Sequence, residues 1–410
     1  MLLLSKLLSA LIHFGALTII DPAGHPHRFG SGVNGPEVAI RLSGIRTPTR
    51  IAVDPALGAA EAWMDGRLTV EGGDIEHLLE LIALNSRWSD DNKAAGLLRN
   101  TARIDRLLYQ VNRPRLAKRN VAHHYDLSDR LYDLFLDADR QYSCAYFREG
   151  VEDLETAQAD KKAHIAAKLA LKPGQSVLDI GCGWGGMALY LAQVEDVRVT
   201  GITLSEEQLK VARSRAQRAG LSDRVSFELA DYRELGGTFD RIVSVGMFEH
   251  VGQPQYRTYF RRIRELMAED GVALMHTIAR AGGPGSTDSF TRKYIFPGGY
   301  SPALSEVVTP IEKEMLWITD VEVLRLHYAK TLDAWLRRTR FARDEIERMY
   351  DPRFYRMWLF YLAGSKFAFQ YGDHMNVQVQ VARRRDSLPL TRDYMVETEA
   401  RYRAMDVRIA

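Results

Sequence analysis

The chain has 410 residues, enough for two or three domains with a substantial core. An apolar fraction of 46% and a charged fraction of 26% are ordinary for a globular protein, and 55 basic against 53 acidic residues argue against bulk nucleic-acid binding. Two cysteines, Cys144 and Cys182, are too few for a disulfide framework or a structural zinc site and fit a reducing cytoplasm.

The opening "MLLLSKLLSALIHFGALTII" is interrupted by Lys6 and His13 and lacks a basic leader and a small-residue cleavage site. It is expected to be neither a signal peptide nor a membrane span. Leu3, Leu4, Leu7, Leu8 and Leu11 share one helical face, which predicts a helix packed on the protein itself rather than on a bilayer. From Ala16 to about Val70, "ALTIID", "EVAIRLS" and "RIAVD" read as short strands between Pro and Gly punctuation, and "GGDIEHLLELIALN" as one amphipathic helix. Residues 1–95 thus make a small α/β domain without a catalytic signature. Residues 96–120 read as a charged linker. In it "NRPRLAKRN" gathers Arg113, Arg115, Lys118 and Arg119, as a solvated connector or a lipid-headgroup patch.

From residue 121 to 410 the pattern changes. "HHYDLSDRLYDLFLD" places Leu127, Leu131, Leu134 and Phe135 at helical spacing, and a short loop leads into "YSCAYF". "GQSVLDIGCGWGGMALYLAQ" is an apolar strand, a glycine-rich turn and a helix. "VRVTGITLS", "RVSFELADY", "FDRIVSVGMFEHVG" and "GVALMHTIA" follow as strands separated by helical stretches. This alternation predicts an α/β fold with a doubly wound, mostly parallel sheet. "NVQVQVARRR" alternates like a strand closing that sheet at an antiparallel edge.

In "LDIGCGWGG" the glycines at 181, 183, 185 and 186 let the backbone approach a ligand. Gly181, Gly183 and Gly186 also satisfy the dinucleotide spacing, so the turn alone does not choose the cofactor. Asp179, two residues before the first glycine, makes a D-x-G-x-G arrangement that resembles the S-adenosylmethionine site of class I methyltransferases, where the turn holds the methionine moiety. The second strand ends "GITLSEEQ" without the usual acidic residue. Thr203, Leu204 and Ser205 are candidates to line the ribose pocket, while Ser205 with Gln208 also reads as a capping box. Asp231 in "ADY" is expected to accept from the adenine amino group, with Tyr232 along the ring. Tyr142 and Ser143 complete the candidate cofactor set.

Taken together, "HYDLS", "YSCAYF", "VLDIGCGWGG", "GITLSEEQ", "MFEHVG", "HTIA" and "IFPGGYSPALSE" resemble the cyclopropane-fatty-acyl-phospholipid synthases and the related mycolic acid cyclopropane synthases. The resemblance runs from about Val121 to the C-terminus. The N-terminal module looks like the extra domain of the phospholipid-acting branch, which implies an unsaturated bilayer phospholipid as substrate, peripheral membrane contact from the cytoplasmic side, and a homodimer. The family's reaction moves a methylene group from S-adenosylmethionine to a cis double bond, with bicarbonate as base. Glu249 and His276, at carboxyl ends of strands, and Tyr328 in "HYAKTL" then match the pocket that holds this anion. Cys144 and Ile278 match positions at which the family uses main-chain amides, so Cys144 is expected to act through its backbone rather than its thiol. The apolar stretch of about 280–330 suits a lid over an acyl tunnel, and "AWLRRTRFARD" suits either a headgroup-facing or a solvated helix. A fatty-acyl C-methyltransferase leaving a methyl or methylene branch is the alternative on the same scaffold. A non-catalytic lipid binder is disfavoured by the intact turn, and a small-molecule or RNA methyltransferase by the neutral charge and the apolar lid.

Overall fold

The computed structural model describes residues 1–87, 128–405 and 407. The linker 96–120, with Arg113, Arg115, Lys118 and Arg119, and all of "HYDLS" except Ser128 lie outside the described residues. The chain divides into two compact units, neither a single stretch of sequence. One comprises 1–107, 285–297 and 332–374, the other 108–284, 298–331 and 375–410.

In the first unit the helix Leu2–Leu11 buries Leu4, Leu8 and Leu11 and leaves Leu2 and Leu3 exposed, so the leucine stripe packs on the protein with Leu3 at its rim. Strands β1 (Ala16–Ile20), β2 (Pro26–Phe29), β3 (Glu37–Leu42) and β4 (Leu68–Glu71) form a sheet in the order β2-β1-β3-β4, with β1 and β3 parallel. "RIAVD" is not a strand. It ends the helix Thr47–Val53, whose first turn holds Pro48, and Asp54 then caps the next helix, Pro55–Met64, by accepting from the Leu57 amide at 3.1 Å. Proline presets the helical φ at this position and overrides the β-branched character of Ile51 and Val53. The amphipathic helix, Ile75–Leu84, opens on a capping box between Asp74 and His77. No helix among the described residues is long and apolar enough to cross a membrane.

The stretch read as one lid is divided between the units. Within the first, Ser289 donates to Asp54 at 2.7 Å, and Lys293 and Tyr294 reach Glu61 at 2.7 and 2.9 Å. Residues 304–323 instead supply the second unit with the helix Leu304–Lys313 and strand β10 (Trp317–Val323). In "AWLRRTRFARD" Trp335 is buried and Phe341 exposed. Arg337, Arg340 and Arg343 are each paired with carboxylates, respectively Asp333, Asp74 with Glu76, and Glu347, so much of the expected basic face is neutralised.

The second unit is built on a seven-stranded sheet. Strands β5 (Ser176–Ile180), β6 (Arg198–Thr203), β7 (Val225–Leu229), β8 (Phe239–Val245), β9 (Met267–Arg280) and β11 (His374–Ala382) join β10 in the order β10-β11-β9-β8-β5-β6-β7. Strands β5 to β9 run parallel and β10 pairs antiparallel with β11. The terminal strand therefore lies inside the sheet, and β10, hidden by the lid reading, is its edge. Period-two alternation sends side chains to two cores. Val177, Val243 and Leu274 join one with the helix Gly186–Val194, and Leu178, Ile242 and Met275 join the other with the helix Tyr256–Leu266.

Buried Asn85 ties the end of the helix Ile75–Leu84 to the chain entering β1. Its carbonyl accepts from the His13 and Phe14 amides at 2.6 and 2.8 Å, and its amide donates to the Phe14 and Leu81 carbonyls, both at 2.9 Å. Replacing it by alanine removes partners from several part-buried backbone groups at once, so Asn85→Ala is expected to cost about 2 kcal/mol, read as a lower urea midpoint.

Candidate active site

A pocket opens at the carboxyl ends of β5, β6 and β8, where a parallel doubly wound sheet leaves a crevice. Tyr142, Ser143, Asp179, Gly181, Gly183, Thr203, Leu204, Gln208, Asp231 and Tyr232 all line it, so ten of the expected cofactor positions converge on one cavity. Ser205 does not. Its hydroxyl accepts from the Gln208 amide at 3.3 Å as a helix cap, while the Gln208 carbonyl is taken by the Thr203 hydroxyl at 2.9 Å, so only half of the capping box forms. Both Asp231 oxygens are engaged by Arg233, at 2.9 and 2.5 Å, so an adenine amino group would have to share that carboxylate. Gln141, Trp184, Met247 and His250 also face the cavity and were not anticipated. Trp184, Met247 and His250 lie inside the quoted motifs "VLDIGCGWGG" and "MFEHVG", and Gln141 directly precedes "YSCAYF", so the motifs marked the region without singling out these side chains.

Two features of the pocket fit an adenosyl amino acid. A Cβ placed on Gly183 would meet nothing within 4 Å, so the glycine turn borders open space that a ligand can fill. Asp179 is 1% exposed, its Oδ2 has no hydrogen-bond partner among the described residues, and burial pushes its carboxyl up to about 7. Such a group is completed by a ligand cation.

The wall at Asp139–Ala145 has no regular secondary structure, and side chains hold it in place. Gln158 donates to the Gln141 and Ser143 carbonyls at 3.1 and 3.0 Å, and buried Lys161 donates to Gln141 Oε1 and Ser143 Oγ at 2.7 and 2.8 Å. The Ala145 amide donates to Thr331 at 3.0 Å. Asp139 is paired with Lys162 and Arg215; burial works to raise its carboxyl, but the two cations outweigh it and hold it below the usual range. A Cβ on Gly186 would sit 2.3 Å from Gln141 Nε2, so only glycine lets this wall close on the helix start. In the same wall Cys144 is fully buried. Its thiol donates to the Ala145 carbonyl at 3.4 Å, and burial raises it far from the thiolate range. The Cys144 amide has no partner among the described residues.

Glu249 lies in the short 3-10 turn Phe248–His250 that follows β8. Its Oε1 accepts from the Ile278 amide at 2.7 Å, whereas Oε2 is buried with no hydrogen-bond partner among the described residues, and burial raises the carboxyl against the lowering pull of the Ile278 amide and the nearby Thr277 hydroxyl. The Ile278 amide, expected to meet an anion, is therefore already spent on Glu249. His276 is 1% exposed inside β9, and its Nε2 and Nδ1 face the side-chain amides of Asn376 and Gln378 on β11 at 3.1 and 3.2 Å. Burial lowers it to about 3, with the Lys161 and Lys168 charges adding to the effect, so the ring is neutral. A neutral imidazole offers one donor and one acceptor, so one of the two amides presents its oxygen. Tyr328 is buried in the first turn of the helix His327–Phe341. The structure thus joins Glu249 with Ile278, and His276 with Asn376 and Gln378.

The sheet order, the glycine turn and the orphaned Asp179 define a class I S-adenosylmethionine-dependent methyltransferase. Residues 112–379 match the mycolic acid cyclopropane synthetase family, and the chain belongs to it. It is 37% identical over 358 residues to the cyclopropane-fatty-acyl-phospholipid synthase of Escherichia coli, covering 87% of this chain and 91% of that one. It is 44% identical over 260 residues to a Pseudomonas putida protein named "Probable fatty acid methyltransferase", covering 62% of this chain and 66% of that one. A mycolic acid cyclopropane synthase solved with SAH and CTAB superposes with a TM-score of 0.61 at 32% identity, over 65% of this chain and 98% of its own.

If Asp179 receives the cofactor's ammonium, only its ionised form does so. Below about pH 7 a proton must first leave, which weakens binding. The affinity for S-adenosylhomocysteine (SAH) is expected to climb from about pH 6 to about pH 8 and then level. Calorimetry of Asp179→Asn is expected to show no such climb.

Proposed function

We propose that this protein is a cyclopropane-fatty-acyl-phospholipid synthase that acts on unsaturated phospholipid at the cytoplasmic face of a membrane, as a homodimer, with bicarbonate as base. A cis double bond is a poor nucleophile and must be held against the methyl donor with water excluded. The sulfonium of S-adenosylmethionine supplies an electrophilic methyl group. Its transfer to one alkene carbon leaves a cation on the acyl chain, and loss of a proton from the new methyl group closes the ring. The chain's own task is to place the group that removes this proton.

The observation that carries the reading is the Glu249 carboxyl. It is buried, raised, fixed through Oε1 by the Ile278 amide, and left with an Oε2 that has no hydrogen-bond partner among the described residues. A carboxyl so held can carry a proton and hydrogen-bond a small oxyanion, and the unpaired Cys144 amide is a second donor of the type such an ion needs. A thiol raised this far is no base or nucleophile, which favours the backbone role for Cys144. The role of His276 reduces to a neutral ring locked by Asn376 and Gln378, and Tyr328 remains a candidate donor. Phospholipid as substrate is favoured because the likeness to the Escherichia coli enzyme covers 87% of the chain and so runs into the N-terminal unit. The Pseudomonas putida relative favours a second product, a methyl or methylene branch.

Purified protein with unsaturated phospholipid vesicles and labelled S-adenosylmethionine is expected to give a ring. A methylene branch has the same mass, so NMR of the acyl chain decides, and olefinic methylene signals in place of cyclopropyl ones would sink the ring reading. Glu249→Gln is expected to lower ring formation by about a hundredfold or more while SAH binding stays within about twofold. Cys144→Ser is expected to keep most of the activity, because the amide is unchanged. A folded but inactive serine variant would assign the role to the thiol.

A further inference from the structure

Lys161 is fully buried within the helix Leu154–Lys168, and its ammonium is satisfied by two neutral oxygens, Gln141 Oε1 and Ser143 Oγ, with no carboxylate in the set. A buried cation held in this way is expensive unless its charge is used. An ammonium has no lone pair, so both bonds run outward from it and both oxygens must accept. Gln141 is thereby oriented with its amide toward Asp139 Oδ2 at 3.0 Å. Ser143 accepts through Oγ, so its hydroxyl proton is directed elsewhere, and no described residue accepts it. Ser143 lines the cofactor pocket. A hydroxyl whose oxygen already accepts from a cation is a stronger donor.

Among the cations around this wall, Lys161 differs in its partners. Asp139 is paired with Lys162 and Arg215, and Arg140 with Asp129 and Asp133, whereas the Lys161 ammonium is bonded only to neutral oxygens. Burial lowers Lys161 only to about 8, so it stays charged at neutral pH. The start of the helix Gly186–Val194 closes on Gln141 and adds its own positive end. Of the groups on S-adenosylmethionine, only the α-carboxylate is anionic. We propose that Lys161 is a positioning residue that turns the Ser143 hydroxyl into a hydrogen-bond donor for the α-carboxylate of the cofactor. This rests on the assignment of the pocket to S-adenosylmethionine.

The test is calorimetry of the full-length protein with two probes. One is SAH, and the other is S-adenosyl-3-thiopropylamine, which keeps the ammonium and lacks only the carboxylate. Lys161→Met is expected to weaken SAH about tenfold and the amine probe less than twofold. Ser143→Ala is expected to show the same split, and the double variant to be no worse than either single one. Should the methionine variant fail to fold, Lys161→Gln removes the charge with a polar side chain and is expected to give the same pattern. Equal weakening of both probes would show a collapsed wall and overturn the proposal, as would an unchanged affinity for SAH. Failure of the unaltered protein to bind either probe would overturn the cofactor assignment itself.

Discussion

The site depends on the pinning of an irregular segment, Asp137 to Phe147, whose backbone groups find few partners in regular structure. Asp137 accepts from the amides of Asp139 and Gln141, Gln158 takes the carbonyls of Gln141 and Ser143, and Thr331 and His327 take the amides of Ala145 and Phe147. Buried backbone groups without partners are costly, so this tight accounting leaves the segment one stable course. It also leaves the Cys144 amide as a donor without a partner among the described residues. A pocket wall built in advance orders no loop when a ligand arrives, and so loses less affinity to entropy.

The helix that supports this wall buries its charges. Asp160, Lys161, Lys162, His164 and Lys168 are all nearly inaccessible on Leu154–Lys168. His164 is held between Glu322 and Glu399; burial works to lower it, but the two carboxylates outweigh that and keep it raised. Glu322 also pairs with Lys168, and Glu399 with Arg403, so these charges share partners. Glu399 comes from the helix Asp393–Arg403, so the end of the chain helps to hold the support of the pocket.

Within the reacting region the polar groups fall into two kinds. His276, Asn376 and Gln378 satisfy one another across β9 and β11, and the Ile278 amide satisfies one oxygen of Glu249. Glu249 Oε2 and Asp179 Oδ2 are satisfied by nothing described. Buried polar groups left open in this way are where a ligand gains the most, and under the proposed function the acidic group at the glycine turn would serve the cofactor and the one after β8 the proton.

Much of this was legible in one dimension. Alternating apolar runs and helical stretches determined the parallel sheet, because period-two and 3.6-residue patterns are local properties of the chain. The D-x-G-x-G turn and the segments at the strand ends located eight residues of the cofactor pocket, because a parallel sheet brings all its carboxyl ends to one side, and Tyr142 and Ser143 belong to the separate stretch "YSCAYF". "RIAVD" misread as a strand and β10 lost inside a lid show the limit of local preference, where a proline or a sheet neighbour decides. What only the tertiary structure decided is which polar groups are spent and which are open. "LETAQADKKAHIAAK" has the composition of a solvated helix, and nothing in its spacing says that Lys161 points into the back of a cofactor wall. Ile278 and Asp231 looked free in the sequence and are engaged by Glu249 and Arg233. Hydrogen-bond satisfaction is a property of three-dimensional neighbours, so the open and the spent groups are told apart only once the chain has folded.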